Sequence, residues 1–237
     1  MELLVQFVSP PARCGYLPDQ MWQYENALIH TMTPSEYERY VEQGWRRFGR
    51  MMFRPRCPSC SACRSLRIDV ARFRPNRSQR RNERLNSQTV TLTVGEPSLS
   101  PEALALYDRY HAYQSAAKGW PEHQPADAGG YIDSFLDQPF PIEEWRYTIG
   151  DRLVGVGIVD RLPKSLSAVY FFSEPAERKR GLGTWNVLSV LRRAAELKLP
   201  FVYLGYHVPE CQSLAYKDHF RPNQILTPAG RWREHRS

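Results

Sequence analysis

Three cysteines at two-residue gaps, Cys57, Cys60 and Cys63, stand directly ahead of an arginine series, and both parts of that stretch carry residue types able to do chemistry. Thiols spaced C-x2-C-x2-C in a reducing compartment serve as soft metal ligands in preference to disulfide partners, and Cys14 brings the set to four. Such a set suits a [4Fe–4S] cluster, whose ferredoxin-like spacing it shares, or a four-thiolate zinc site; free thiols without metal are the third reading. Cys211, beside Glu210, reads as an ordinary thiol. The arginines Arg64, Arg67, Arg72, Arg74, Arg77, Arg80, Arg81 and Arg84 form a comb of bidentate donors for anions. Cysteines and comb together read as one unit, a clamp for an anion and the metal-tied turn that anchors it.

A second constellation lies further on. Arg178-Lys179-Arg180-Gly181-Leu182-Gly183 has the form R-x-x-G-x-G between a strand pattern and a helix pattern. Backbone N–H groups at such a helix start form an anion site, and the glycines permit close approach. Tyr206 and His207 end the strand pattern FVYLGY, and Tyr170 sits on the neighbouring one. A phenol or imidazole at a strand end can collect a proton, while Phe171, Phe172 and Phe201 read as core. Trp120, Trp185 and Trp232 are candidate stacking platforms for bases.

These groups need elements to position them. Thr33 and Glu36 frame a capping box, with Pro34 at the first helical position of TPSEYERYVEQGW and Gly44 closing it. Prolines otherwise punctuate a first third that reads as irregular. LRIDVARF and TVTLTV alternate as strands, and SQRRNERLN reads as a basic helix between them. A helix entered at Ser100-Pro101 follows, then a loop, a short helix stopped by Pro139, and hairpins turning at Gly150-Asp151 and Pro163-Lys164. The glycine loop, a long amphipathic helix and FVYLGY complete the order. Hairpins, a basic glycine loop, a helix and then a strand resemble the core of the GCN5-related N-acetyltransferase (GNAT) fold. That resemblance implies an α+β chain with a GNAT-like mixed sheet and flanking helices: residues 1–85 form a small irregular Cys- and Arg-rich region, and residues 86–237 a GNAT-like catalytic domain.

Composition bounds the partners. The chain has 237 residues, 32 Lys+Arg against 25 Asp+Glu, and a formal net charge of +7, which favours polyanions or marks a soluble basic protein. No apolar run nears the roughly 20 residues that span a bilayer, and the N-terminus has no basic segment before its apolar stretch. A cytoplasmic protein without a membrane partner is expected. Repeats and low-complexity segments are absent.

Seven stretches taken together resemble one family, the aminoacyl-tRNA–protein transferases. They are Cys14-Gly-Tyr-Leu-Pro18, Cys57-Pro-Ser-Cys-Ser-Ala-Cys63 with Leu66-Arg67-Ile68, Arg77-Ser-Gln-Arg-Arg81, Tyr170-Phe-Phe172, Gly181-Leu-Gly-Thr184, Tyr203-Leu-Gly-Tyr206, and Tyr216-Lys217 ahead of Phe220. They follow the family's order over nearly the whole chain, whose length is similar to the bacterial leucyltransferase branch. The resemblance implies transfer of leucine, or of arginine, from charged tRNA to the N-terminal amine of proteins beginning with Asp or Glu, which marks them for degradation by the N-degron pathway. It implies no diffusible cofactor beyond aminoacyl-tRNA, and it allows a [4Fe–4S] cluster or zinc on Cys14, Cys57, Cys60 and Cys63. By family position, Arg77, Arg80, Arg81, Lys217 and Arg221 are the groups for the acidic acceptor or the tRNA, and with tRNA as the donor the loop of Arg178, Lys179, Arg180, Gly181 and Gly183 reads as a cradle for its terminal phosphate. Tyr206, His207 and Tyr170 are the candidates for proton transfer. Two departures stand out: Tyr16-Leu17 follows Cys14 where the eukaryotic branch often has a second cysteine, and KGWPEHQPADAGG is unlike the basic segment of many bacterial members. An acetyl-CoA-dependent GNAT acetyltransferase and a non-catalytic RNA-binding protein are the alternatives.

Overall fold

The structure, a computed structural model, describes residues 1–235. Its chemistry is positioned by two sheets. The smaller, of order β1-β4-β6-β5, is antiparallel throughout and contains β1 (Glu2–Val8), β4 (Tyr24–Thr31), β5 (Arg46–Phe48) and β6 (Met51–Pro55). β2 (Ala12–Arg13) and β3 (Met21–Trp22) form a separate ribbon. The expected irregular first third is therefore largely a sheet. Its strands escape notice because β1 is exposed at six of its seven positions and shows no clean alternation. Helix α1 (Pro34–Glu42) has the expected capping box, with the Thr33 side chain accepting from the Glu36 N–H.

The larger sheet has eight strands in the order β14-β13-β7-β12-β11-β10-β9-β8. These are β7 (Arg64–Asp69), β8 (Thr91–Gly95), β9 (Glu143–Ile149), β10 (Arg152–Arg161), β11 (Ser165–Ser173), β12 (Phe201–His207), β13 (Asn223–Leu226) and β14 (Trp232–Glu234). All its pairs are antiparallel except β11 with β12. One face packs on the small sheet, α1 and α3 (Pro101–Lys118); the other packs on α5 (Leu182–Glu196). Helices α2 (Arg77–Asn86), α4 (Ala128–Tyr131) and α6 (Gln212–Ala215) complete the set. Among the described residues no helix is long and apolar enough to cross a membrane.

Strand β7, from the part of the chain before residue 85, lies between β13 and β12, with Leu66 and Ile68 fully buried, and so serves as an inner strand of the large sheet. The same strand separates the cysteine turn from the arginine helix: Cys63 precedes its start, and α2 follows its far end. Clamp and anchor are thus two regions.

Candidate active site

β11 and β12 are parallel neighbours only at Ser165–Ser167 against Phe201–Tyr203; beyond that they part. The cause lies on β12. Its ladder with β7 passes from Tyr203↔Arg67 to Tyr206↔Ser65, three residues against two, and Gly205 in this bulge has φ +77°. A left-handed residue and a bulge together bend a strand out of its sheet, and glycine adopts that backbone without strain. The wedge so opened holds a cavity of ≈ 570 Å³.

Two cations meet at the glycine. A Cβ on Gly205 would stand 3.5 Å from Lys217 Nζ and 3.9 Å from Arg46 Nε. Arg46 is only 7% exposed, and its guanidinium lies over the rings of Tyr203 (5.5 Å) and Tyr206 (5.6 Å). Its Nη1 donates to the carbonyls of Val41 and Trp45, while Nε and Nη2 have no partner among the described residues. Unmet guanidinium N–H groups in a desolvated place are costly and call for an anion. Lys217 Nζ donates to the Tyr206 carbonyl at 2.8 Å, and burial, then the Arg46 charge, lowers its pKa to about 7. Arg47, the next residue of β5, also borders the cavity, but its guanidinium is engaged: it ion-pairs with fully buried Asp160 of β10 and donates to Gln138. Of the two arginines, Arg46 is therefore the less engaged, with two nitrogens unpartnered among the described residues, while Arg47 ties β5 to β10.

The N-terminus of α5 opens on the same cavity through Gly181, Gly183 and Thr184. Gly181 is left-handed (φ +62°) and no side chain among the described residues caps the helix, which leaves the N–H groups of its first turn able to receive an anion. Asn82 and Asn86 of α2 fix the loop by donating to the Arg180 carbonyl at 2.8 and 3.0 Å. Arg178 and Lys179 are exposed beside it. Arg77, Arg81 and Arg84 are exposed as well and share one face of α2, turned away from the face whose Asn82 and Asn86 hold the glycine loop.

The residues named from sequence divide accordingly. Tyr170, Tyr206, Gly181, Gly183 and Lys217 line the wedge, with Trp120 among them. Tyr206 is buried, and its hydroxyl donates to the Gly44 carbonyl at 2.8 Å, bracing the two sheets. His207 faces a second cavity, of ≈ 550 Å³, beside Cys60 and His235. Arg180 pairs with Glu177, Arg221 with Asp218, and Arg80 donates to the Pro75 carbonyl; none of the three lines the wedge. Trp185 is core, and Trp232 donates to the Glu42 carbonyl. Sequence reasoning missed Arg46, Gln114 and His111. The signal for Arg46 was slight: a doubled arginine after Gly44-Trp45, where helix α1 ends.

The cysteine turn adjoins the wedge floor. Burial, then the nearby Cys57, Cys14, Cys60 and Cys211, pushes the Cys63 thiol up to about 12. Cys14 Sγ accepts from the N–H groups of Tyr16 and Leu17, both at 3.4 Å, as a metal-bound thiolate would. In this side-chain arrangement no three of the described His, Cys, Asp or Glu residues converge on one metal position. The donor types and the amide contacts fit a thiolate-held group, and the rotamers would have to turn inward to bind it.

The family model for the C terminus of arginine-tRNA-protein transferase matches residues 102–227, and the model for its N terminus matches residues 12–81. An aspartate/glutamate leucyltransferase of Campylobacter jejuni is 34% identical over 229 residues, covering 94% of this chain and 93% of that protein. A protein of the same name from Nitrosococcus oceani is 38% identical, with 92% and 91% covered. The solved structure of L-PGS from Bacillus licheniformis matches with a TM-score of 0.45 at 14% identity, over 72% of this chain and 49% of that one.

Proposed function

The chain belongs to the arginine-tRNA-protein transferase family and is an aminoacyltransferase acting from tRNA on protein N-termini; we propose that it moves leucine, and that its acceptors begin with aspartate or glutamate. One observation carries this reading. The described lining of the wedge includes the cations Arg46, Arg47, Lys118 and Lys217 and no Asp or Glu. An arginyl group would meet like charge without a carboxylate partner, whereas a leucyl side chain can pack on Val169, Phe171, Val187 and Leu204. The acidic side chain of the acceptor is the anion that Arg46 and Lys217 lack.

The reaction follows from this placement. An aminoacyl ester is activated toward amines, so alignment and charge stabilisation are the main requirements. Phosphate of the tRNA 3′ end rests at the α5 N-terminus, its terminal bases stack on Trp120 and Tyr110, and the ester enters the wedge. Backbone N–H groups on the freed edge of β11 beyond Ser167 face the developing oxyanion. Arg46 holds the acceptor carboxylate, which brings the α-amine to the ester carbon. A protein α-amine has a pKa near ~8, so on the order of a tenth is neutral at pH 7. The parting of β11 and β12 also supports a GNAT-like sheet. Cys14, Cys57, Cys60 and Cys63 would hold an iron–sulfur cluster or zinc, which supplies a cross-link between residues 14–17 and the turn before β7. Its role is structural.

Separate offers of leucyl-tRNA and arginyl-tRNA, with peptides starting in Asp, Glu, Asn or Gln, test the assignment. Transfer of leucine to Asp and Glu alone is expected; efficient arginine transfer would overturn it. Degradation of a reporter bearing the new leucine tests the N-degron role, and metal analysis with visible absorption tests the cysteine site.

A further inference from the structure

We infer that Tyr170 and His111 form a proton relay, which takes the proton released by the attacking amine and returns it to the departing ribose oxygen. The inference rests on the proposed transfer and adds the group that handles its proton. Tyr170 lines the wedge from β11, on the stretch where that strand has left β12. Its hydroxyl lies 2.7 Å from Nε2 of His111, on α3 behind the wall. Burial raises the Tyr170 phenol well above its ordinary range, so it keeps its proton, and Nε2 is the acceptor within reach. Burial, then His123, lowers His111 to about 4, leaving a neutral imidazole at pH 7. With the O–H spent on Nε2, the oxygen's lone pairs are left for an N–H in the cavity.

The other wedge candidates have different engagements. Tyr206 is tied to Gly44, His207 faces another cavity, and Lys217 donates to the Tyr206 carbonyl beside the acceptor's carboxylate site. Behind His111 stands a second pair, His123 Nε2 to Asp108 Oδ1 at 2.7 Å, with the two imidazole centroids 4.9 Å apart. Tyr107, Tyr110 and Trp120 enclose the remaining faces of the ring. Asp108 favours a charge on His111 and His123 opposes it, so the imidazolium forms only transiently, as a relay requires.

The step balances. The amine nitrogen bonds to the ester carbon as one of its protons passes to the Tyr170 oxygen, and the Tyr170 proton passes to His111 Nε2. Collapse breaks the carbon–oxygen bond to ribose, and the same two transfers in reverse protonate the ribose oxygen. One proton has then moved from nitrogen to oxygen, and the pair is restored.

Single-turnover transfer of leucine from its tRNA to an Asp-initiated peptide tests the relay. Tyr170→Phe and His111→Gln are each expected to lower the rate by about a hundredfold with the acceptor KM unchanged. The double variant is expected to be no slower than Tyr170→Phe alone, because the two act as one unit. Should the variants misfold, wild-type rates in mixtures of light and heavy water decide: a curved dependence on deuterium fraction reports two protons in flight. A wild-type rate for Tyr170→Phe, losses that multiply, or a linear dependence would overturn the relay while wild-type transfer itself stood. Failure of the wild type to transfer leucine would instead remove the reading beneath it.

Discussion

The molecule presents positive charge in two ways. On the outer surface, Arg77, Arg81, Arg84, Arg178 and Lys179 stand in solvent. Inside the wedge, Arg46 is buried against two tyrosine rings with two nitrogens that have no partner among the described residues, and Lys217 is half-buried beside it. Water and salt screen the outer group, so it attracts a polyanion without choosing among sequences. Desolvation strengthens every interaction of the inner group and makes an absent partner costly, so it can select one carboxylate. Net charge counts both alike; burial separates their roles.

Removing the inner guanidinium should break this contrast most severely. Arg46→Ala is expected to lower kcat/KM for Asp- and Glu-initiated peptides by about a hundredfold to a thousandfold, the range for stranding a buried charge partner, with tRNA binding nearly unchanged. A parallel loss of tRNA affinity would merge the two regions into one. The converse variant, Arg77, Arg81 and Arg84 all to Gln, should weaken tRNA binding and reduce the slope of log affinity against log salt by about 2 to 3. Its acceptor KM should stay put, and an unaltered slope would remove α2 from the interface.

A smaller effect sharpens the inner half. Lys217 is held near about 7, so it is charged below that pH and neutral above it. The acceptor KM should therefore rise severalfold between pH 6 and pH 8, and Lys217→Arg should flatten that rise. A flat wild-type profile would place Lys217 outside the carboxylate site. Smallest of all, Tyr206→Phe removes the hydroxyl bond to Gly44 and should cost about 1 kcal/mol of stability, read by chemical denaturation, with little change in turnover.

Much of the order of elements was legible in the chain. The Thr33 capping box, the Ser100 cap with Gly119 left-handed at the far end of α3, the two hairpin turns and the helix behind Gly181 all rest on short-range rules, and each lies where those rules put it. The small sheet was not legible, since β1 is exposed at nearly every position, β5 has only three residues, and the strands pair residues distant in the chain. Arg46 illustrates the same gap at the site. In sequence it is one arginine of a pair, and only the approach of β12 sets its unpartnered nitrogens against the wedge beside Lys217.

The sequence by itself determined which groups were on hand: reduced thiols in a tight set, a basic comb, a glycine-opened helix, and phenols on adjacent strands. Local periodicity and capping are read from neighbours in the chain, and so is the pattern that carries the family. Tertiary structure decided which of those groups act together. The bulge at Gly205 parts β12 from β11, and β5 comes over the gap to set Arg46 against Lys217. α3 brings His111 behind Tyr170. Such meetings depend on long-range pairing and on burial, and burial sets the strength of a charge and the pKa of a base; neither is written in the order of residues.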